Sequence, residues 1–251
     1  MGRVRTRPTD TVERMRVADG VHRLGSRYVN FYAIEDGDKL TIVDGGLSGY
    51  YDQVPQFVSR IGCSMSDIVA VVQTHVHSDH VGITERLRAA SGATVFVHEL
   101  EGPVLTGDEK LQGPKGARKI ITSLNAYRVI GHMLKNGGTK YPTVEEVTTF
   151  QDGDVLDVPG KPTVVFTPGH SAGHSSLLLE QRGVLLVGDA MVTRDLRGNP
   201  GPRLMELNLD EDAARATLDR FDEVDAELLL TGHGEPWAGS PSKAAALARR
   251  S

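Results

Sequence analysis

One cysteine, Cys63, occurs in 251 residues. No intrachain disulfide can form, and a structural zinc site built from several thiolates is excluded. A reducing compartment is the expectation. Long hydrophobic runs are also missing, and no stretch has the apolar length of a membrane-spanning helix. The opening MGRVRTRPTDTVERMRVADG is basic and polar, without the apolar region of a secretion signal. The expected location is therefore the cytoplasm. Nor is there an excess of positive charge: 28 basic residues stand against 33 acidic ones, a net charge of −5. A nucleic-acid footprint and a polybasic membrane anchor are both absent. The expected partner is a small-molecule substrate, and a homodimer is compatible with the sequence.

The chain contains 39% hydrophobic and 24% charged residues, as in an ordinary globular protein. Its length suits one large domain or two small ones. Residues 1–14 read as a loose tail, and 15–251 as a single domain. RYVNFYAIED (27–36) and KLTIVDGG (39–46) read as strands joined by a turn. Residues 49–62 have helical spacing, with Val54, Phe57, Val58 and Ile61 on one side. DIVAVVQT (67–74) reads as a buried strand, 81–92 as a helix closed by glycine, and TVFVH (94–98) as a strand. Residues 99 to about 145 break this rhythm and read as a helical insertion over the core. Strands return at 147–150, 154–158, 163–167, 175–180, 183–188 and 227–232. Helices are expected at about 210–222 and at the C-terminus. Strand-helix alternation at each end predicts an α/β sandwich with mixed sheets.

THVHSDHVG (74–82) places His75, His77, Asp79 and His80 within six positions. The first three alternate, so an extended chain points them to one side. His80 breaks the period, so the chain turns there. Three later stretches share this character. TPGHSAGHS carries His170, LLVGDA carries Asp189, and LLLTGHGEP carries His233, each on a short turn after an apolar strand. Rigid strands can hold such turns in place. Five histidines and two aspartates can ligate two metals, with water completing each shell. Imidazole and carboxylate suit zinc, iron or manganese.

HVHSDH, TPGH, GD and GHG, in this order, resemble the metallo-β-lactamase superfamily, and VDGG (43–46) resembles its usual motif before the first helix. The resemblance spans roughly residues 20 to 237. It implies an αββα four-layer sandwich with metals at one edge. It also implies two divalent ions, zinc before iron or manganese. His75, His77 and His170 would hold the first, and Asp79, His80 and His233 the second, with Asp189 bridging. Asp79 and Asp189 are the candidate catalytic groups. Asp44 would orient the ligand loop from behind, and His174, close to His170, would pack in the outer shell. Tyr127, His132 and Tyr141, in the insertion, are candidates for the pocket wall, with plain packing as the alternative. The implied activity is hydrolysis of a small ester, thioester, lactone or similar carbonyl substrate. Secreted β-lactamases fit poorly, because Asp189 stands where they usually lack the bridging acid. Val192 stands where the acyl-homoserine lactonases often carry tyrosine. A mononuclear iron persulfide dioxygenase and a non-catalytic metal-binding member of the fold are the competing readings.

Overall fold

The structure, a computed structural model, describes residues 15–113 and 123–251. The expected tail and part of the expected insertion, 114–122, lie outside the described residues. The first sheet has seven strands in sequence order. These are β1 (Arg16–Ala18), β2 (Val21–Gly25), β3 (Asn30–Asp36), β4 (Lys39–Val43), β5 (Ile68–Val72), β6 (Thr94–His98) and β7 (Thr148–Phe150). β1 to β4 are joined antiparallel, and β4 to β7 run parallel. The second sheet contains β8 (Thr163–Phe166), β9 (Ser175–Leu179) and β10 (Val184–Gly188). After a small ribbon, β11 (Met191–Arg194) with β12 (Pro200–Leu204), it gains β13 (Leu228–Thr231) and β14 (Trp237–Ala238). Its order is β14-β13-β10-β9-β8, with β10 and β13 parallel.

Three apolar clusters make this a four-layer structure. Between the sheets, Ile34, Val43 and Val72 of the first meet Leu177, Leu186 and Leu230 of the second. The outer face of the first sheet is covered by α1 (Gln53–Arg60) and α2 (Thr84–Ser91), which contribute Val54, Phe57, Val58 and Leu87. The outer face of the second is covered by α5 (Glu211–Thr217), the 3-10 turn Leu218–Asp222 and α6 (Pro241–Ala248). Between β6 and β7 lie α3 (Gly102–Thr106) and α4 (Leu124–Lys135). The apolar runs of β5, β9 and β10 follow from this layering, since both faces of a middle sheet are covered.

Two expectations require correction. DVLDV (154–158) is not a strand; only Val155 bridges Thr163, and its side chain is exposed. The following PGKP explains this, because prolines cannot donate to a ladder and Gly160 turns at φ +87°. The hairpin β1–β2 and the ribbon β11–β12 were not expected. RVADGVHRLG carries a turn at Asp19–Gly20, but its strands mix charged and apolar residues without strict alternation.

Candidate metal centre

β5, β10 and β13 end at the same edge of the sandwich, and the β8–β9 loop closes over it. After β5, Thr74 accepts from Ser175 N at 2.9 Å, which joins the two sheets at the start of the ligand loop. A tight turn follows: His80 N and Val81 N both donate to the His77 carbonyl, at 2.9 and 3.1 Å. That turn carries His80 away from the alternating side chains before it. Asp189 and His233 each follow a glycine at the end of a buried strand.

All seven candidate ligands converge. Ligand atoms of His75, His77 and His170 lie within 4.8 Å of one another; the same holds for Asp79, His80 and His233, and for His75, His80 and Asp189. His77 Nδ1 is 2.8 Å from His170 Nε2. Asp189 Oδ2 is central, 3.0 Å from His233 Nε2, 3.5 Å from His170 Nε2 and 3.6 Å from His80 Nε2. Asp79 Oδ2 is 3.5 Å from His233 Nε2.

The rings of His80 and His233 are oriented from behind, as ligating histidines usually are. Asp44 takes Thr74 N at 2.8 Å on Oδ1, and Thr74 Oγ1 at 3.0 Å and His80 Nδ1 at 2.9 Å on Oδ2. It adopts φ +64°, a conformation uncommon for a non-glycine residue. His233 Nδ1 donates to the Tyr28 carbonyl at 2.6 Å. His174 Nε2 accepts the amide of Asp189 at 2.9 Å, and its Nδ1 donates to the Thr167 carbonyl at 3.1 Å. His174 therefore positions Asp189 through the backbone. Burial pushes its pKa down to about 3, so it stays neutral. On the Asp44 side, Asp44→Ala is expected to weaken metal affinity about 10- to 100-fold. Competition with a graded chelator series measures this; unchanged affinity would remove Asp44 from the orienting role.

The donor set fits a metal. His75 Nε2, His80 Nε2 and Asp189 Oδ1 are buried and have no hydrogen-bond partner among the described residues. Each such atom costs about 1–3 kcal/mol unless something pairs with it. Convergent imidazole and carboxylate lone pairs are the chemistry that holds zinc, iron or manganese. Burial works against charge on His80 and His233, but Asp189 outweighs it: the His80 pKa lies well above the usual histidine range and that of His233 rises to about 9. Burial pushes His75 and His170 well down, ready to donate lone pairs. A dication would thus take the place of the protons beside Asp189.

The three aromatic candidates from the insertion fare differently. Tyr127 is 60% exposed on α4 and does not line the cleft beside His233. Its apolar neighbours explain this: Ala126 and Val129 occupy the buried face of the helix. Tyr141 lines a wider groove with Ser48, Arg86 and Lys140. His132 is a structural clamp. The Tyr50 hydroxyl bridges His132 Nε2 at 2.5 Å and Ser26 Oγ at 2.7 Å, and Ser26 Oγ accepts the amides of Tyr28 and Val29. Since the Tyr28 carbonyl orients His233, the helix α4 is tied to a candidate ligand through this chain. Removing the ring in His132→Ala is expected to cost about 1–2 kcal/mol of stability. Urea unfolding checks it, and a midpoint equal to the native one would show the clamp to be idle.

Sequence reasoning passed over the residues that act through the backbone. Tyr28 contributes a carbonyl, which any residue type could supply. Asn30 and Tyr32 had a partial signal, as polar groups inside a buried strand. Asn30 Nδ2 donates to the carbonyls of Thr231 and Gly234, and the Tyr32 hydroxyl to that of Thr231, so the first sheet grips the His233 turn.

Known proteins share this arrangement of chain. The metallo-beta-lactamase superfamily pattern matches residues 24–233. The probable metallo-hydrolase YflN of Bacillus subtilis (strain 168) is 24% identical, over 88% of this chain and 86% of its own. An N-acyl homoserine lactonase of Bacillus cereus is 26% identical, over 72% of this chain and 62% of its own. In structure, a metallo-beta-lactamase family protein from Thermus thermophilus aligns with a TM-score of 0.65 at 23% identity, covering 94% of this chain and 80% of that one. The four-layer fold, the ordered ligand motifs and a match over most of the length agree: the chain belongs to the metallo-β-lactamase superfamily.

Proposed function

We propose that the protein is a dinuclear metal-dependent hydrolase of small esters, thioesters, lactones or similar carbonyl compounds. The observation that carries this reading is the place of Asp189 Oδ2, within 3.6 Å of His80, His170 and His233 and so shared by both candidate triads. His75, His77 and His170 would hold one ion and Asp79, His80 and His233 the other, with Asp189 between them. When bound, two dications supply Lewis-acid polarisation of a carbonyl and lower the pKa of water to near neutrality. The probable metallo-hydrolase and the lactonase among the relatives support a hydrolytic reaction.

The residues of the chain divide the remaining work. His75, His80, His170 and Asp189 form the dry floor, each 3% exposed or less. The Asp79 and His233 side chains keep 13% and 14% exposure, so solvent and substrate reach the site on their side. Asp189 orients the attacking water by accepting its hydrogen bond. The Asp79 carboxylate, at the wet edge, takes the proton from that water on the oxygen turned away from His233 and returns it to the leaving oxygen or sulfur. No side-chain nucleophile is required. Ser78 Oγ is engaged with the Gly138 carbonyl at 2.6 Å, and Cys63 packs against the outer core cluster.

Chelator-treated protein should lose thioester and lactone hydrolysis and recover it when zinc, manganese or iron is added back. A panel of phenyl thioesters, γ-lactones and β-lactams identifies the carbonyl class. Oxygen uptake with glutathione persulfide, in place of hydrolysis, would overturn the reading.

A further inference from the structure

The cleft beside the candidate metal centre is shallow, open on one side, and has His233 in its wall. Its apolar floor is formed by Val129, Leu196 and Met205. Arg27 and Arg194 also line it. Resting on the hydrolase reading, we propose that this cleft selects substrates carrying a carboxylate on a short apolar chain, with Arg27 and Arg194 binding that carboxylate.

Charge bookkeeping around the site singles out these two residues. Nearby arginines are paired: Arg23 with Glu235, Arg197 with Glu206 and Arg203 with Asp195. Among the described residues, Arg27 and Arg194 have no carboxylate partner. Arg27 lies over the Tyr28 ring, 4.6 Å from its centroid, and donates to the Tyr28 hydroxyl. Arg194 makes one long contact, 3.5 Å, to the Gly198 carbonyl. The acid that lines the same cleft, Asp195, does not neutralise them. Its oxygens accept Asn199 N at 2.7 Å and Asn199 Nδ2 at 2.6 Å, with Arg203 beyond.

The backbone anchors both arginine positions beside the reacting centre. Tyr28, next to Arg27, accepts from His233 Nδ1. Thr193, next to Arg194, donates its amide to the His233 carbonyl at 3.1 Å. Each guanidinium is thus one residue away from a group that holds His233. A planar guanidinium matches a carboxylate with two parallel hydrogen bonds, and two can share one carboxylate. The apolar side chains that line the same cleft suit a few methylene groups.

Two matched thioester pairs test the proposal on the metal-loaded protein. S-phenyl thioglutarate, with a free terminal carboxylate, is compared with S-phenyl thiopentanoate. S-acetyl-4-mercaptobenzoate is compared with S-phenyl thioacetate, which places the anion on the leaving side. In at least one pair the anionic member is expected to show about tenfold or higher kcat/KM. In R27Q/R194Q that ratio should fall to within about twofold, and R27K/R194K should restore part of it. Thermal midpoints and circular dichroism verify that the variants fold. Equal kcat/KM within both native pairs, or a ratio that survives R27Q/R194Q, would overturn the carboxylate site while leaving the hydrolase reading intact. If no thioester turns over, the hydrolase reading rests on the lactone and β-lactam members of the panel. Calorimetric Kd values for the same pairs then decide the site: tenfold tighter binding of an anionic member, lost in R27Q/R194Q, supports it, and equal binding overturns it.

Discussion

Replacing Asp189 with asparagine is expected to lower turnover by about a thousandfold or more, roughly 4 kcal/mol of transition-state stabilisation. Asparagine keeps the volume, so the fold has no reason to change. The charge is lost, however, at the one oxygen that faces three histidines within 3.6 Å. An amide nitrogen turned toward those rings would also direct N–H groups at lone pairs meant for a cation. Metal content should therefore fall together with kcat. The protonation of His80 and His233 should shift as well, since Asp189 is the main group that raises both. Native metal content and native turnover in Asp189→Asn would show that the carboxylate neither bridges nor orients.

The second large effect comes from a residue with no functional group. A Cβ added at Gly232 would lie 2.1 Å from Asp189 Oδ1 and 2.7 Å from His80 Cε1. Contacts under 3.0 Å force a shift, and Asp189 has little room to give: Gly188 behind it, at φ +50°, is itself confined by His174 and Thr74. Gly232→Ala is expected to move the carboxylate off its place between the rings. A misplacement of about an ångström can cost a hundredfold in rate, and that is the loss expected here. Gly131→Ala is the control. It lies inside α4 with open space around it, and should stabilise the chain by about 0.5–1 kcal/mol. Loss of activity with retained folding in the first variant, and retained activity in the second, is the expected pattern. Full activity in Gly232→Ala would mean that the close approach of backbone to ligand is not needed.

The convergence of the candidate ligands was legible in the sequence because of where they stand. His75, Asp189 and His233 each follow an apolar run short enough to be a buried strand, and such strands end at a common edge. The alternation of His75, His77 and Asp79, broken by His80, marked the turn that the His77 carbonyl closes. Asp44 was readable as the polar end of KLTIVD. What stayed hidden works through backbone or space. The Tyr28 carbonyl, the emptiness at Gly232 and the grip of Thr74 on Asp44 depend on tertiary approach, and no residue type announces them. Residues 154–158 misled because DVLDV is a short, β-branched, apolar-rich run like a strand, while the prolines that follow deny it a ladder. Arg27 and Arg194 are 167 positions apart and become neighbours only when the β2–β3 loop and β11 meet at His233. His132 was a plausible pocket wall by type, but the Tyr50 and Ser26 hydroxyls hold its ring.

Elemental analysis of the purified, zinc-supplied protein, paired with the Asp79→Ala and His77→Ala variants, tests the central claim most directly. Seven convergent ligands shared through Asp189 predict about two metal equivalents per native chain and about one in each variant, since the two substitutions strike different triads. A native chain that holds a single iron, or that holds no metal at all, would contradict it.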